Sequence, residues 1–191
     1  DRLGHDRIDL VGYSMGGRIG LGLAVRHPDR VKNSVLIGGS AGVAGNAQRA
    51  ARRRVDDRLA NDLLERGIEW FVDYWMGLPL FASQSRLGSN ALAEARLQRL
   101  ENDERGLAGS LRGAGAGSQP PLWQDLGRVE GAVLLVVGDE DAWFRSLAVR
   151  MAAGLRDATI AVIPDAGHAC HLENPEDTLA AVSGFLSQGG E

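Results

Sequence analysis

Cysteine is almost missing from this chain. Cys170 is the single example in 191 residues, so no disulfide can form within the chain. A disulfide-stapled secreted scaffold is thereby excluded, and a reducing cytoplasm is the expected home. No apolar run approaches the roughly 18 residues that a membrane-spanning helix needs, and no signal-peptide pattern opens the sequence. Charge of either sign is also in short surplus. The formal net charge is −4, which gives no global reason to expect nucleic acid or an anionic membrane as a partner. Internal repeats are not visible, and neither is an initiator methionine. What is there is a chain 44% hydrophobic, long enough for one compact domain with a sizeable core.

The chain divides into three blocks. Residues 1–40 read as the tail of a helix at Asp1 to Gly4, a buried strand at Arg7–Val11, a helix from Gly17 to His27, and a second strand at Val31–Ile37. Buried apolar strands alternating with helices argue for a parallel α/β sheet. Across residues 41–118 the strand-like runs vanish. Apolar residues recur there at helical spacing, as Ala50, Val55, Leu59 and Leu63, then Ile68, Phe71, Val72 and Trp75. This block is expected to be a helical insertion capping the C-terminal edge of the sheet. Gly113 to Gly117 is Gly-rich but follows no strand and carries no Gly-Lys-Ser/Thr, so it reads as a flexible connection and not a phosphate loop. The sheet resumes in residues 119–191. Strands are expected at Ala132–Val137 and Thr159–Ile163, with helices over roughly Ser146–Leu155 and Pro175–Leu186.

The chemistry concentrates at the ends of these strands. Gly12-Tyr13-Ser14-Met15-Gly16 lies between a strand and a helix, the setting of a nucleophile elbow that lifts a serine hydroxyl above the sheet. Gly12 and Gly16 suit such a turn, since a side chain at either place is expected to collide with its neighbours. The backbone N–H of Met15 then points where an oxyanion would form. A serine hydroxyl needs an imidazole to take its proton, and the imidazole needs an acid to hold its tautomer. The candidates arrive in the order Ser14, an aspartate after one strand, and His168 after the next, which is the chain order of α/β-hydrolase triads. Asp139 and Asp141 compete as the acid. The Gly-x-x-Asp spacing from Gly138 favours Asp141 and leaves Asp139 to the turn, while Asp165 is expected to cap its own turn. His5 and His27 fall at helix ends and read as solvated. His168 and His171 lack a second ligand pair, so no metal is expected. Cys170 reads as a small buried residue.

The arginines carry a second signal. Arg49, Arg52, Arg53 and Arg54 crowd one helix of the insertion, and Arg96 and Arg99 lie on another. For most of them a solvated basic face, balanced by Asp56, Asp57 and Glu101, is sufficient. Arg18 differs, because it lies one turn beyond Ser14 on a helix that should be packed. A buried cation needs a partner, and a bound carboxylate could supply one.

Taken together, the motifs resemble one branch of the α/β-hydrolase superfamily, the 2-succinyl-6-hydroxy-2,4-cyclohexadiene-1-carboxylate synthase (MenH) family. They are Gly-Tyr-Ser-Met-Gly-Gly-Arg at 12–18, Ala-Arg-Arg-Arg-x-Asp-Asp at 51–57, Phe-Val-Asp-Tyr-Trp-Met-x-Leu-Pro-Leu-Phe-Ala at 71–82, Gly-Leu-Ala-x-Ser-Leu-Arg-Gly at 106–113, Gly-Ser-Gln-Pro-Pro-Leu-Trp at 117–123 and Ala-Gly-His-Ala-x-His-Leu-Glu-x-Pro at 166–175. The insertion motifs would not be shared by a generic esterase. The resemblance implies an α/β-hydrolase fold, a mostly parallel sheet with a helical cap, and a catalytic triad of Ser14, Asp141 and His168. It implies Met15 as an oxyanion donor, Arg18, Arg52 and Arg99 as substrate-binding arginines, and Tyr13 and Trp75 as pocket aromatics. The implied reaction eliminates pyruvate from an enolpyruvyl precursor, with no cofactor, on a small-molecule polycarboxylate.

The chain departs from the family at its start. The upstream strand and His-Gly loop that supply a second oxyanion donor are missing, which predicts a fragment of a longer protein. Trp143 stands where the family often has Lys, and Ala116 where Thr is common. Two other readings share the same residues: a serine carboxylesterase or carbon–carbon hydrolase, and a non-catalytic binding member of the fold.

Overall fold

The computed structural model describes residues 4–188, so the helix tail expected at the start lies, apart from Gly4, outside the described residues. Four strands, β1 (Ile8–Tyr13), β2 (Val31–Ile37), β3 (Ala132–Gly138) and β4 (Ala158–Ile163), form one parallel sheet in the order β1-β2-β3-β4. Alternate side chains of the central strands serve two cores, because successive Cβ atoms point to opposite faces. Leu36, Val133, Leu135 and Val137 pack with Leu21 and Val25 of helix α1 (Met15–Arg26) and with Ala148 and Met151 of α5 (Ala142–Ala152). Val35, Ile37, Leu134 and Val136 pack on the other face, against Ala181, Val182 and Phe185 of α7 (Pro175–Gln188). Both faces of β2 and β3 are covered, which is why these strands read as continuous apolar runs rather than alternating ones. Each such leucine or valine contributes about 1.5–3 kcal/mol by leaving water.

Residues Asp1–Ala41 and Leu122–Glu191 form one compact unit, and Gly42–Pro121 form a second. The second unit is helical: α2 (Asn46–Met76), a 3₁₀ stretch at Pro79–Leu87, α3 (Gly88–Leu100) and α4 (Glu104–Ala114). Its core is Ala60, Leu63, Phe71, Val72 and Ala108, with Trp75 packed against it. The two apolar runs seen in the sequence are two halves of α2, separated at Gly67, whose φ of 87° and ψ of 171° break the helix. A helix restarting there has an unpaired first N–H, and the carboxylate of Glu104 accepts from Ile68 N–H at 2.8 Å. Asp103 caps α4 in the same manner, accepting from Gly106 N–H at 2.6 Å. Gly113 belongs to the last turn of α4, so the Gly-rich stretch is in part helix.

Gly67 occupies backbone space that is essentially closed to other residues. Gly67→Ala should therefore lower unfolding free energy by about 1–3 kcal/mol, read as a fall in the urea midpoint at unchanged slope. An unchanged midpoint would mean that the break in α2 does not require glycine.

Candidate active site

The site begins with backbone geometry at Ser14. This residue has φ 48° and ψ −105°, one of two non-glycine residues with positive φ among those described. Such conformations cost about 1–3 kcal/mol and persist only where the surroundings enforce them. The enforcement here is visible. Ser14 N–H donates to Ile37 O at 2.8 Å, joining the turn to β2, and its own carbonyl accepts from Arg18 N–H at 3.0 Å as α1 starts. Gly12 lets β1 and α1 approach, since a Cβ there would lie 2.6 Å from the carbonyl group of Gly16. The expected collision at Gly16 is absent: a Cβ there meets nothing within 4 Å among the described residues. Gly17 is the second tight position, where a Cβ would stand 3.0 Å from Gly12 O. The helix also begins at Met15 rather than Gly17, directly beneath the serine.

Around Ser14 the structure brings together two residues far away in sequence. His168 Nε2 lies 3.0 Å from Ser14 Oγ, and His168 Nδ1 lies 2.9 Å from Asp141 Oδ2. The imidazole is buried, 2% exposed, so its hydrogen bonds act in a low-dielectric setting where they are electrostatically stronger than in water. Asp141 is fixed through its other oxygen, because Oδ1 accepts from Phe144 N–H at 3.1 Å and caps α5. Asp139 does not reach the ring; its Oδ1 accepts from Ala166 N–H at 3.2 Å, beside the turn. Asp165 takes a left-handed φ of 52° in the same loop. A carboxylate–imidazole–hydroxyl chain of this geometry can draw a proton from serine and hold the resulting imidazolium. Met15 N–H opens α1, where no carbonyl of the helix is available to it, so it can donate to a developing oxyanion.

Aromatic rings pack around the histidine. Phe144 lies 4.3 Å from the His168 ring by centroids, and Tyr13 lies 5.5 Å from it and 4.3 Å from His171. Burial holds the His171 pKa below its ordinary value, and the neighbouring His168 lowers it further. These effects favour the neutral form of His171 beside His168. Burial likewise pushes the Cys170 thiol up, away from the reactive thiolate.

The arginines fall in different settings. Arg18 is half-buried on α1, one turn past Ser14. Arg52, on α2, donates through Nε to the buried carboxylate of Asp56 at 2.8 Å. Arg99 Nη1 donates to Ala95 O of its own helix at 2.7 Å. Arg96 pairs with Asp73 at 2.8 Å, and Arg53 donates to Gly117 O at 3.3 Å. Trp75, half-buried against the core of the helical unit, stacks on Phe71 at 5.5 Å and meets Phe81 at 6.0 Å. Among the described residues no group of three His, Cys, Asp or Glu side chains could hold a metal ion. No described helix is long and apolar enough to cross a membrane.

Comparison with known proteins sharpens this picture. Residues 1–182 match the model of the alpha/beta hydrolase family. An Escherichia coli O1:K1 protein named 2-succinyl-6-hydroxy-2,4-cyclohexadiene-1-carboxylate synthase is 33% identical over 177 residues, covering 93% of this chain and 67% of its own length. A Bacillus subtilis (strain 168) protein provisionally named for the same synthase is 38% identical over 187 residues, covering 98% of this chain and 68% of its own length. The structure of MenH from S. aureus superposes with a TM-score of 0.94 at 34% identity, covering 97% of this chain and 70% of that one. The chain thus spans about two thirds of the length of these relatives.

The glycine geometry gives a paired test. Gly12→Ala should abolish folding or activity, because the added methyl meets backbone, while Gly16→Ala should leave the melting temperature nearly unchanged. Equal loss in both variants would contradict the packing described for the turn.

Proposed function

The chain belongs to the alpha/beta hydrolase family, and we propose that it is a 2-succinyl-6-hydroxy-2,4-cyclohexadiene-1-carboxylate synthase, a cytoplasmic lyase of menaquinone biosynthesis. One observation carries the reading: the likeness to the synthases runs through the helical residues 42–121 as well as the sheet. A likeness confined to the elbow and the histidine loop would fit any hydrolase of this fold, since fold and triad alone do not specify a reaction.

The substrate would be 2-succinyl-5-enolpyruvyl-6-hydroxy-3-cyclohexene-1-carboxylate. Ser14, its proton taken by His168 Nε2, removes a proton next to the succinyl carbonyl. Negative charge develops on that carbonyl oxygen, where Met15 N–H stabilises it. The electron pair then forms a ring double bond from the carbon bearing the succinyl group to its neighbour. The existing ring double bond shifts one position along, and the carbon–oxygen bond to the enolpyruvyl group breaks. The departing enolate takes the proton that His168 holds and becomes pyruvate, while Ser14 keeps the proton drawn from the substrate, so the triad returns to its starting state. Serine acts as a base here and forms no acyl-enzyme. Asp141 supports the cycle by stabilising the imidazolium of His168. Arg18 supplies a guanidinium for a substrate carboxylate, in the bidentate manner that suits this pair. Arg52 and Arg99 carry the same assignment, and Tyr13 and Trp75 that of pocket aromatics, on the strength of the family motifs.

Pyruvate release should be fast on the enolpyruvyl substrate and slow on a simple aryl ester. A fast ester with no pyruvate would make the protein a hydrolase, and inertness to both would favour a binding member of the fold. Arg18→Ala should cost tenfold or more in kcat/KM, since hydrogen bonds to charged groups are worth about 1.5–3 kcal/mol. Ser14→Ala should lower pyruvate release by several orders of magnitude; a rate near that of the unsubstituted protein would exclude Ser14 as the base.

A further inference from the structure

His168 lies in the loop between β4 and the short helix α6 (Cys170–Glu173), outside the hydrogen-bonded ladder of the sheet. A loop without a ladder is mobile unless other groups take up its backbone, yet the imidazole must stay within hydrogen-bond reach of both Ser14 and Asp141. The loop's amides are taken up by carboxylates. Asp139 accepts from Ala166 N–H, as described above. Glu173 then reaches back over the next turn: its Oε2 accepts from Gly167 N–H at 2.9 Å and its Oε1 from Ala169 N–H at 3.2 Å. These two amides flank His168 in the chain. One carboxylate therefore grips the backbone immediately before and after the residue whose ring spans the site.

Neighbouring residues secure the rest of the segment and leave this grip to Glu173. Asn174 Nδ2 donates to Pro164 O at 3.1 Å, at the far end of the loop, and Thr178 Oγ1 donates to Cys170 O at 3.1 Å. Both engage carbonyls, and neither engages the amides beside His168. A carboxylate accepting from backbone N–H forms charge-assisted bonds, roughly twice as strong as neutral ones. With two oxygens it offers each amide its own acceptor, whereas an amide side chain in the same pose turns an NH₂ donor toward one of them.

We infer that Glu173 is a positioning residue: by holding the amides of Gly167 and Ala169 it fixes the His168 imidazole against Ser14 Oγ and Asp141 Oδ2. The inference rests on the reading of these three residues as the catalytic relay. In Glu173→Gln, with the side chain in the same pose, one of the two amides faces a donor in place of an acceptor. We expect kcat for pyruvate release to fall about tenfold, or about 1.4 kcal/mol, with KM unchanged because the Glu173 carboxylate is engaged by the loop backbone. The downfield proton resonance of the His168–Asp141 hydrogen bond should broaden or vanish in the same variant. Formate added to Glu173→Ala should restore part of both the rate and the resonance, which a loss of general stability would not allow. Resonance and kcat matching the unsubstituted protein in Glu173→Gln would overturn the inference. So would a loss in Glu173→Ala that follows thermal stability alone and does not respond to formate. If the unsubstituted protein releases no pyruvate, the functional reading falls, and the resonance still decides whether Glu173 holds the ring.

Discussion

Everything in the site depends on one strained turn. Ser14 keeps a positive φ because β1 and α1 are held too close for any relaxed alternative. The bare backbone of Gly12 permits that closeness, and the bond from Ser14 N–H to Ile37 O ties the turn to the second strand. From Ile37 the parallel ladder continues into β3, whose end leads to Asp141, and from β3 into β4, whose end leads to His168. Three chain segments therefore deliver their functional groups to one edge of the sheet, the edge where open α/β sheets place ligands. The hydrophobic core on both faces of β2 and β3 makes this edge rigid. A rigid edge is what a proton relay needs, because a displacement on the order of 1 Å can cost about a hundredfold in rate.

The sequence was legible where burial writes a pattern. The strands at Val31–Ile37 and Ala132–Gly138 are continuous apolar runs because helices cover both of their faces, and such runs are hard to mistake beside turn residues. Helix starts were less legible. Helix α5 begins at Ala142, four residues before the expected Ser146, because Asp141 caps it with the oxygen that His168 does not use. A residue with two tasks leaves only one visible in a motif. Helix α1 begins directly after Ser14 with no side-chain cap to announce it. Gly16 looked as necessary as Gly12, yet the crowding falls on Gly17, since the motif records residue type and not the direction of each Cα–Cβ bond. Glu104 carried no periodic signal, because a side chain that accepts from a distant backbone amide has no fixed spacing to betray it. Glu173 stood within the histidine-loop motif, which records the residue but not the two nearby amides it holds. The break at Gly67 was present as a gap between two apolar runs, and only its φ identifies it as a break within one helix.

Function was legible to a different depth in the two units. The elbow serine, the aspartate and the histidine form a hydrogen-bonded chain within one contiguous unit, with the geometry of a proton relay. They do not by themselves distinguish elimination from hydrolysis, since both begin with serine surrendering its proton to histidine. The distinction lies in what holds the substrate. Arg18, half-buried one turn from Ser14, is the residue on which the proposed reading of a carboxylated substrate leans, because a guanidinium suits a carboxylate. In the helical unit, Arg52 is oriented by a buried aspartate and Arg99 by its own helix, so each guanidinium keeps part of its donor set beyond these bonds.

The central claim is that Asp141, through His168, makes Ser14 a base. Pyruvate release by Asp141→Asn beside Asp139→Asn tests it most directly, because the two aspartates lie two residues apart and only one reaches the ring. The account predicts a loss approaching the roughly 10⁴-fold seen when a serine-protease triad loses its acid, and a far smaller loss for Asp139→Asn. Equal rates in the two variants, or a greater loss at Asp139, would contradict it.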